Sequence, residues 1–223
     1  MDSLAKHRGK RVLVSCCSNR NPKWAMILSV EGAMDQASKA GIACAFPPRI
    51  GESLICRARN NELVVMRQRN FDYLFSIDDD VDIPPETIVK LISDDKDVVA
   101  GFYRLKSSEP HTAVRLPADG PNLAEVLKRG LLTPAIYVST GCFLVKREVV
   151  EGMVAKYPEL EYTRNVTNDK CWALYQPFIS RGEYLSEDWA FCQRARDAGF
   201  EIWADGSIRC GHWREQRVGF GDI

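Results

Sequence analysis

Residues 11–105 repeat one pattern, a short apolar run followed by a segment with helical spacing. RVLVSCCS (11–18) is β-branched and apolar and ends in small polar residues. Residues 24–40 then carry helical spacing, and Gly41 is placed to stop that helix. IACAF (42–46) reads as a second strand. Residues 52–69 read as a second helix, with Ile55, Leu63 and Met66 among its apolar positions and Arg57 and Arg59 in its first half. FDYLFSID (71–78) is a third strand, and Pro84 and Pro85 suit the first turn of a helix running to about Ser93. DVVAGFYRL (97–105) is a fourth strand. Strands that alternate with helices imply a parallel sheet with helices on its faces. The expected class is α/β, with a mostly parallel central sheet flanked by helices. Such sheets bind ligands at the carboxyl ends of their strands, where residues 15–20 and 78–82 fall.

The second half reads differently. AVRL (113–116) and IYVSTGCFLVKR (136–147) are expected strands, the latter bending at Gly141. Residues 147–156 are an expected helix. Residues 157–185 show no regular period and carry Tyr162, Trp172, Tyr175, Phe178 and Tyr184. A structureless stretch that long inside a compact domain is usually functional or mobile. Residues 188–198 form a last helix, closed by Gly199. FEIWADGSIRCGHW (200–213) supplies two short strands and then His212. A length of 223 residues suits one domain, read here as a first half over about 11–105 and a smaller second half over about 106–223.

Charge and composition exclude several classes. Lys plus Arg and Asp plus Glu both total 30, a formal net charge of zero, so nothing marks a nucleic-acid binder. The basic lead-in of Lys6, His7, Arg8, Lys10 and Arg11 reads as solvated, with an anionic membrane surface as the alternative. No apolar run approaches the roughly 18–20 residues that span a bilayer, and MDSLAKHRGKR lacks a signal core. The expectation is a cytoplasmic protein with no transmembrane segment. The sequon Asn165-Val166-Thr167 is then a chance match. Eight cysteines are scattered without a C-x-x-C pair, as expected of reduced, buried thiols. A zinc site of Cys192, Cys210 and His212 fits no common spacing.

Chemistry concentrates in three places. In FSIDDDVDIPPET (75–87), Asp78 and Asp80 lie two apart, and extended residues at that spacing share a side. Together they suit Mg²⁺ or Mn²⁺, hard cations that take carboxylate oxygens. A solvated acidic turn is the plainer account, and for Asp82 the preferred role is capping the next helix. For Asp78 and Asp80 the strand-end position points to metal and nucleotide. In SEDWAFCQRARDAG (186–199), Ser186 or Glu187 can cap a helix whose dipole favours acids. A carboxylate there can also act as a general base. His212 is either structural or a further metal ligand.

In this order, FSIDDDVDIPPETIVKL, VSTGCFLVKREVVE, YLSEDWAFCQRARDAGFEIWAD and GHW resemble a GT-A-fold glycosyltransferase of the family 2-like type, including short bacterial and viral forms. The resemblance runs from about residue 11 to 213. It implies a single GT-A, Rossmann-like domain whose first half binds a nucleotide-sugar donor and whose second half binds a glycan, lipid-linked or protein acceptor. It implies a metal, Mn²⁺ or Mg²⁺, held by Asp80 with Asp78 and His212. Asp78, with help from Asp79, would contact the nucleotide. Asp188 would be the base toward the acceptor hydroxyl, Glu187 would orient the acceptor, and Gly141 would line the acceptor side. Inversion at the anomeric carbon belongs to the same resemblance, as does the host cytoplasm for a viral form. Ser15, Asn19 and Arg20 are further candidates for the base or phosphates. Arg57, Arg59 and Asn60 either reach the nucleotide or pair on the helix surface. Arg214 and Arg217 either close over the diphosphate or stay solvated. Two other readings compete. A nucleotidyltransferase would share the acidic site, but VSCCSNRNPKW after the first strand has no glycine to cradle phosphate. The other is a non-catalytic module that binds sugar or nucleotide.

Overall fold

The computed structural model describes residues 4–18, 21–47, 49–106, 111–165 and 167–214. Seven strands form the central sheet: β1 (Arg11–Ser15), β2 (Ala43–Ala45), β3 (Tyr73–Ile77), β4 (Val98–Phe102), β5 (Leu132–Pro134), β6 (Cys142–Lys146) and β7 (Ile202–Arg209). Six helices accompany them: α1 (Trp24–Lys39), α2 (Ile55–Gln68), α3 (Thr87–Ser93), α4 (Leu123–Arg129), α5 (Arg147–Lys156) and α6 (Glu187–Asp197). The strand order is β2-β1-β3-β6-β4-β7-β5. β1 pairs in parallel with β2 and β3, and β4 with β7. β6 is antiparallel to both β3 and β4, with Ile77 opposite Cys142 and Ala100 opposite Phe143. β5 closes one edge antiparallel to β7. Five of the seven strands therefore run one way, as the alternating pattern requires.

The strands are buried on both faces, so they read as continuous apolar runs. Their side chains still alternate between two cores. Leu13, Leu74, Phe143 and Val145 join one, packed under α2, α5 and α6. Val12, Val14, Phe75 and Leu144 join the other, under α1 and α3. Each such side chain contributes about 1.5–3 kcal/mol by leaving water. Gly41 (φ +80) and Gly199 (φ +93) follow α1 and α6 in the left-handed turn expected of them.

The second half departs from expectation in its short elements. AVRL is not a strand; it contributes one bridge, Arg115 to Tyr137, because Pro117 ends the run and β5 already occupies the edge beside β7. Residues 157–185 are not irregular. They hold a 3₁₀ turn (Pro158–Leu160) and two hairpins, Glu161–Thr163 with Lys170–Trp172 and Phe178–Ser180 with Glu183–Leu185. Three-residue strands are too short to show a period. FEIWADGSIRCGHW gives one long strand, β7, and the two-residue strand Gly211–His212. Helix α4 was not anticipated, although Asn122 caps it by accepting from Glu125 N at 2.9 Å and Gly130 (φ +61) ends it.

Candidate active site

β3 ends at Ile77, and a turn closed by Val81 N donating to Asp78 O at 3.2 Å carries the three aspartates apart. Extended spacing therefore stops before Asp78, and Asp78 and Asp80 find different partners. Asp78 Oδ1 accepts from Arg59 Nη2 at 3.0 Å. Asp79 accepts from Ser18 Oγ through its side chain and from Lys23 N at 2.8 Å through its carbonyl. Asp80 Oδ2 accepts from Lys106 Nζ, and its Oδ1 lies 3.3 Å from His212 Nε2.

Arg59 joins the two halves. α2 points its buried guanidinium inward, and Nη1 donates to Glu187 Oε1 at 2.6 Å while Nη2 holds Asp78. Burial opposes charge on Arg59, but Asp78 and Glu187 outweigh it and raise its pKa. Burial pushes the Asp78 carboxyl above the ordinary range, against the pull of Arg59, and Asp80, Asp188 and Asp79 add to the push. One guanidinium thus offsets part of a cluster of five acids.

His212 reaches Asp80 through a strap. Gly211 pairs with Asp82 and His212 with Val81 in antiparallel register. Trp213 N donates to Asp80 O at 2.9 Å, and Trp213 Nε1 donates to Asp82 Oδ1 at 2.7 Å. Asp82 therefore anchors this strap. It does not cap α3, whose N-cap position is Glu86 without a side-chain bond. His212 Nδ1 lies 2.7 Å from Arg104 O. A carbonyl only accepts, so Nδ1 carries the proton, and Nε2 faces the Asp80 carboxylate. Two electron-rich atoms set face to face are reconciled by a shared cation or by an imidazolium. Histidines that ligate metals usually hold their other N–H on such an acceptor. Asp80 and His212 thus fit a hard divalent cation. Among the described residues no group of three His, Cys, Asp or Glu stands at metal-holding spacing.

Asp188 lies in the first turn of α6. Its Oδ1 accepts from Ser186 Oγ and from Trp189 N at 2.8 Å, which fixes the carboxylate. Oδ2 makes no hydrogen bond among the described residues. Ser186 occupies the N-cap position but gives no capping bond. Gly141 backs the cluster: a Cβ there would sit 2.5 Å from Tyr103 Oη and 2.7 Å from Asp78 Oδ2. Ser15 is buried and shares a cavity of about 10 Å³, room for roughly one water, with Arg59, Asp78 and Thr140.

The remaining candidates scatter. Arg57 pairs at 2.7 Å with Glu52, in the segment just before α2, and Asn60 Oδ1 accepts from Tyr175 N at 3.0 Å. Asn19, Arg20 and Arg217 lie outside the described residues. Cys192 is buried and donates to Val138 O, away from any zinc set with His212. All eight cysteines are free, four of them buried. The sequence reading covered Ser18 only within the strand-end stretch 15–20 and passed over Tyr103 and Lys106. Lys106 and Tyr103 follow the end of β4, and that strand-end position was the signal available for them.

No family model matches the sequence, and no curated protein matches it. Solved structures do share its fold. A197 from STIV superposes with a TM-score of 0.54 at 18% identity, over 93% of this chain and 87% of that one. GalNAc-T7, solved with UDP, GalNAc and Mn²⁺, superposes with a TM-score of 0.53 at 13% identity, over 95% of this chain. The match takes in 44% of GalNAc-T7, less than half of its length. The inositol-1-phosphate CTP transferase from T. maritima, at a TM-score of 0.48 and 10% identity over 92% of this chain and 89% of that one, overlaps too loosely to add to this. No helix among the described residues is long and apolar enough to cross a membrane. Fold and topology together make this chain a single α/β, Rossmann-like domain of the GT-A type.

Proposed function

We propose that this protein is a metal-dependent glycosyltransferase that moves a sugar from a nucleotide-sugar donor to a hydroxyl acceptor, with inversion. The observation that carries the reading is the pairing of Asp80 with a His212 whose other ring nitrogen is held on a carbonyl. GalNAc-T7, which shares the fold, was solved with UDP, GalNAc and Mn²⁺.

Asp80 and His212 would hold Mn²⁺ or Mg²⁺, and Asp78, engaged by Arg59, would join them only by a shift of its side chain. When bound, such an ion neutralises charge developing on a diphosphate leaving group. Asp78 and Asp79 serve the nucleotide side, and Ser15 lines the one-water cavity beside Asp78. Arg59 keeps Asp78 and Glu187 in place by sharing its two nitrogens between them. Asp188 is held at Oδ1, so Oδ2 takes the proton of the acceptor hydroxyl. Glu187 orients that acceptor. The first half, about 11–105, serves the donor, and the second, about 106–223, the acceptor, which is a glycan, a lipid-linked chain or a protein.

A melting panel of nucleoside diphosphates and sugar nucleotides, each with Mn²⁺ and with EDTA, tests this. A ligand at about 100 times its Kd adds about 2.7 kcal/mol, which raises Tm by roughly 5–10 °C in a chain of this size. One nucleotide class should stabilise the protein with metal only. A folded protein that no nucleotide stabilises refutes the reading. Product analysis separates the rivals: release of pyrophosphate from a triphosphate marks a nucleotidyltransferase, and binding without turnover marks a silent module.

A further inference from the structure

A groove of about 800 Å³ shares no residue with the carboxylate cluster. It lies between the C-terminal half of α6, the start of β7, the edge strand β5 and the hairpin Phe178–Ser180/Glu183–Leu185. Phe200 and Trp203, beside a mostly buried Tyr137, supply aromatic surface, and Arg181 and Arg196 supply positive charge. Of the three acids on the wall, Glu183 is ion-paired, while Asp197 and Glu201 are held by neutral donors and keep their charge. Glu183 accepts from Arg115 at 2.8 Å, Asp197 from Gln193 Nε2 at 2.8 Å, and Glu201 from Trp203 Nε1 at 3.0 Å. The side chains of Arg181 and Arg196 make no hydrogen bond or ion pair among the described residues.

Arg181 is also strained. It sits at φ +51, and the other non-glycine residues in the left-handed region among those described are Asn70, Asp95 and Asn168. Asn and Asp tolerate that conformation through local hydrogen bonds, and arginine has no such help. Arg181 and Gly182 (φ +82) form the two-residue turn of the hairpin, between the paired Ser180 and Glu183. That turn prefers Asn-Gly or Asp-Gly. Turn chemistry therefore does not explain the arginine, and strain of this kind points to function.

We propose that this groove binds an anionic saccharide, with sugar rings against the aromatic walls and a carboxylate or phosphate between Arg181 and Arg196. Guanidinium groups match both anions in bidentate geometry. Ser180 adds a hydrogen-bonding group to the lining, while Gln193 is held there by Tyr137 Oη at 2.8 Å and by Asp197. An extended peptide is a poorer occupant, because the adjoining edge strand has three residues and ends at Pro134, which leaves little ladder to extend. α6 connects the groove to the carboxylates: Gln193 and Arg196 follow Asp188 by roughly 8 and 12 Å along the helix axis. Tyr137 on the groove wall stacks on Trp189 with centroids 4.9 Å apart. That the bound saccharide is the far end of the acceptor rests on the transferase reading; the groove itself does not.

Calorimetry on the intact protein in EDTA, without nucleotide, isolates the groove from the donor site. The probes are hexagalacturonate, a phosphorylated oligomannoside, neutral maltohexaose and hexaglutamate. Either or both anionic saccharides should bind, and the pair identifies which anion is preferred. Arg181→Gln and Arg196→Gln should each weaken that binding roughly tenfold or more, the scale of a lost charge-assisted hydrogen bond. Arg181→Gly, which removes the strain, should keep the fold and lose binding to the same degree. The proposal is overturned by no saccharide binding, by equal binding of maltohexaose, by tighter binding of hexaglutamate, or by binding indifferent to all three variants. Saccharide binding lost in the arginine variants of a protein that no nucleotide stabilises would leave the groove standing and remove the transferase reading alone.

Discussion

Arg59 sits 19 positions from Asp78 and 128 from Glu187, and it touches both. Removing one member of such a part-buried set is destabilising because the partners keep their charge without an answer. Position alone made Asp78, Asp79 and Asp80 legible, since they end an apolar strand in an α/β pattern. Their partners were not legible. Ser18, Lys106 and Arg59 meet the aspartates across three strand ends, and no spacing in the chain encodes that meeting. Asp188 offers the sharpest residue-level test. Asn at this position keeps an Oδ1 to accept from Ser186 and Trp189 but loses the basic oxygen. Asp188→Asn should lower kcat for sugar transfer by about 10²–10⁴-fold, with Tm and the nucleotide-dependent shift unchanged. A loss below tenfold would remove Asp188 from the role of base.

Between elements, α3 and β7 meet through Lys90. Its ammonium lies 2.5 Å from Asp94 and 2.6 Å from the fully buried Asp205. Burial pushes the Asp94 carboxyl up to about 6 despite Lys90, with Asp205 adding to the push. The unfolded chain releases the same proton near 3.8. The folded state holds it more tightly, so the contribution of Asp94 to stability is full below pH 3.8 and is lost as pH rises through about 6. Asp94→Asn cannot titrate. It should gain on the unaltered protein between pH 4 and pH 7 by up to about 3 kcal/mol, read as urea midpoints at each pH. A difference constant across that range contradicts the assignment. Long helices such as α1 and α2 and the five-residue strands were readable because they complete a period. The hairpins at 161–172 and 178–185 were not, because three residues do not complete one.

Across the whole molecule, the chain's two halves are woven into one sheet. β6 comes from the second half yet lies between β3 and β4 of the first, paired to both. A fragment of residues 1–105 would leave the inner edges of β3 and β4 open and remove Phe143 and Val145 from the core they share. It should show no cooperative melt by circular dichroism; a cooperative melt would make the first half a domain of its own. The sequence by itself determined the α/β class, the parallel run β1–β2–β3–β4 and the acidic edge, because local period and turn residues act over short distances. The tertiary structure alone decided that β6 is inserted antiparallel, that His212 returns to Asp80 along the strap to Asp82, and that Arg181 and Arg196 share a groove. Those contacts join residues far apart in the chain, and they are selected by burial and charge pairing in the folded state, which leave no periodic mark on the sequence.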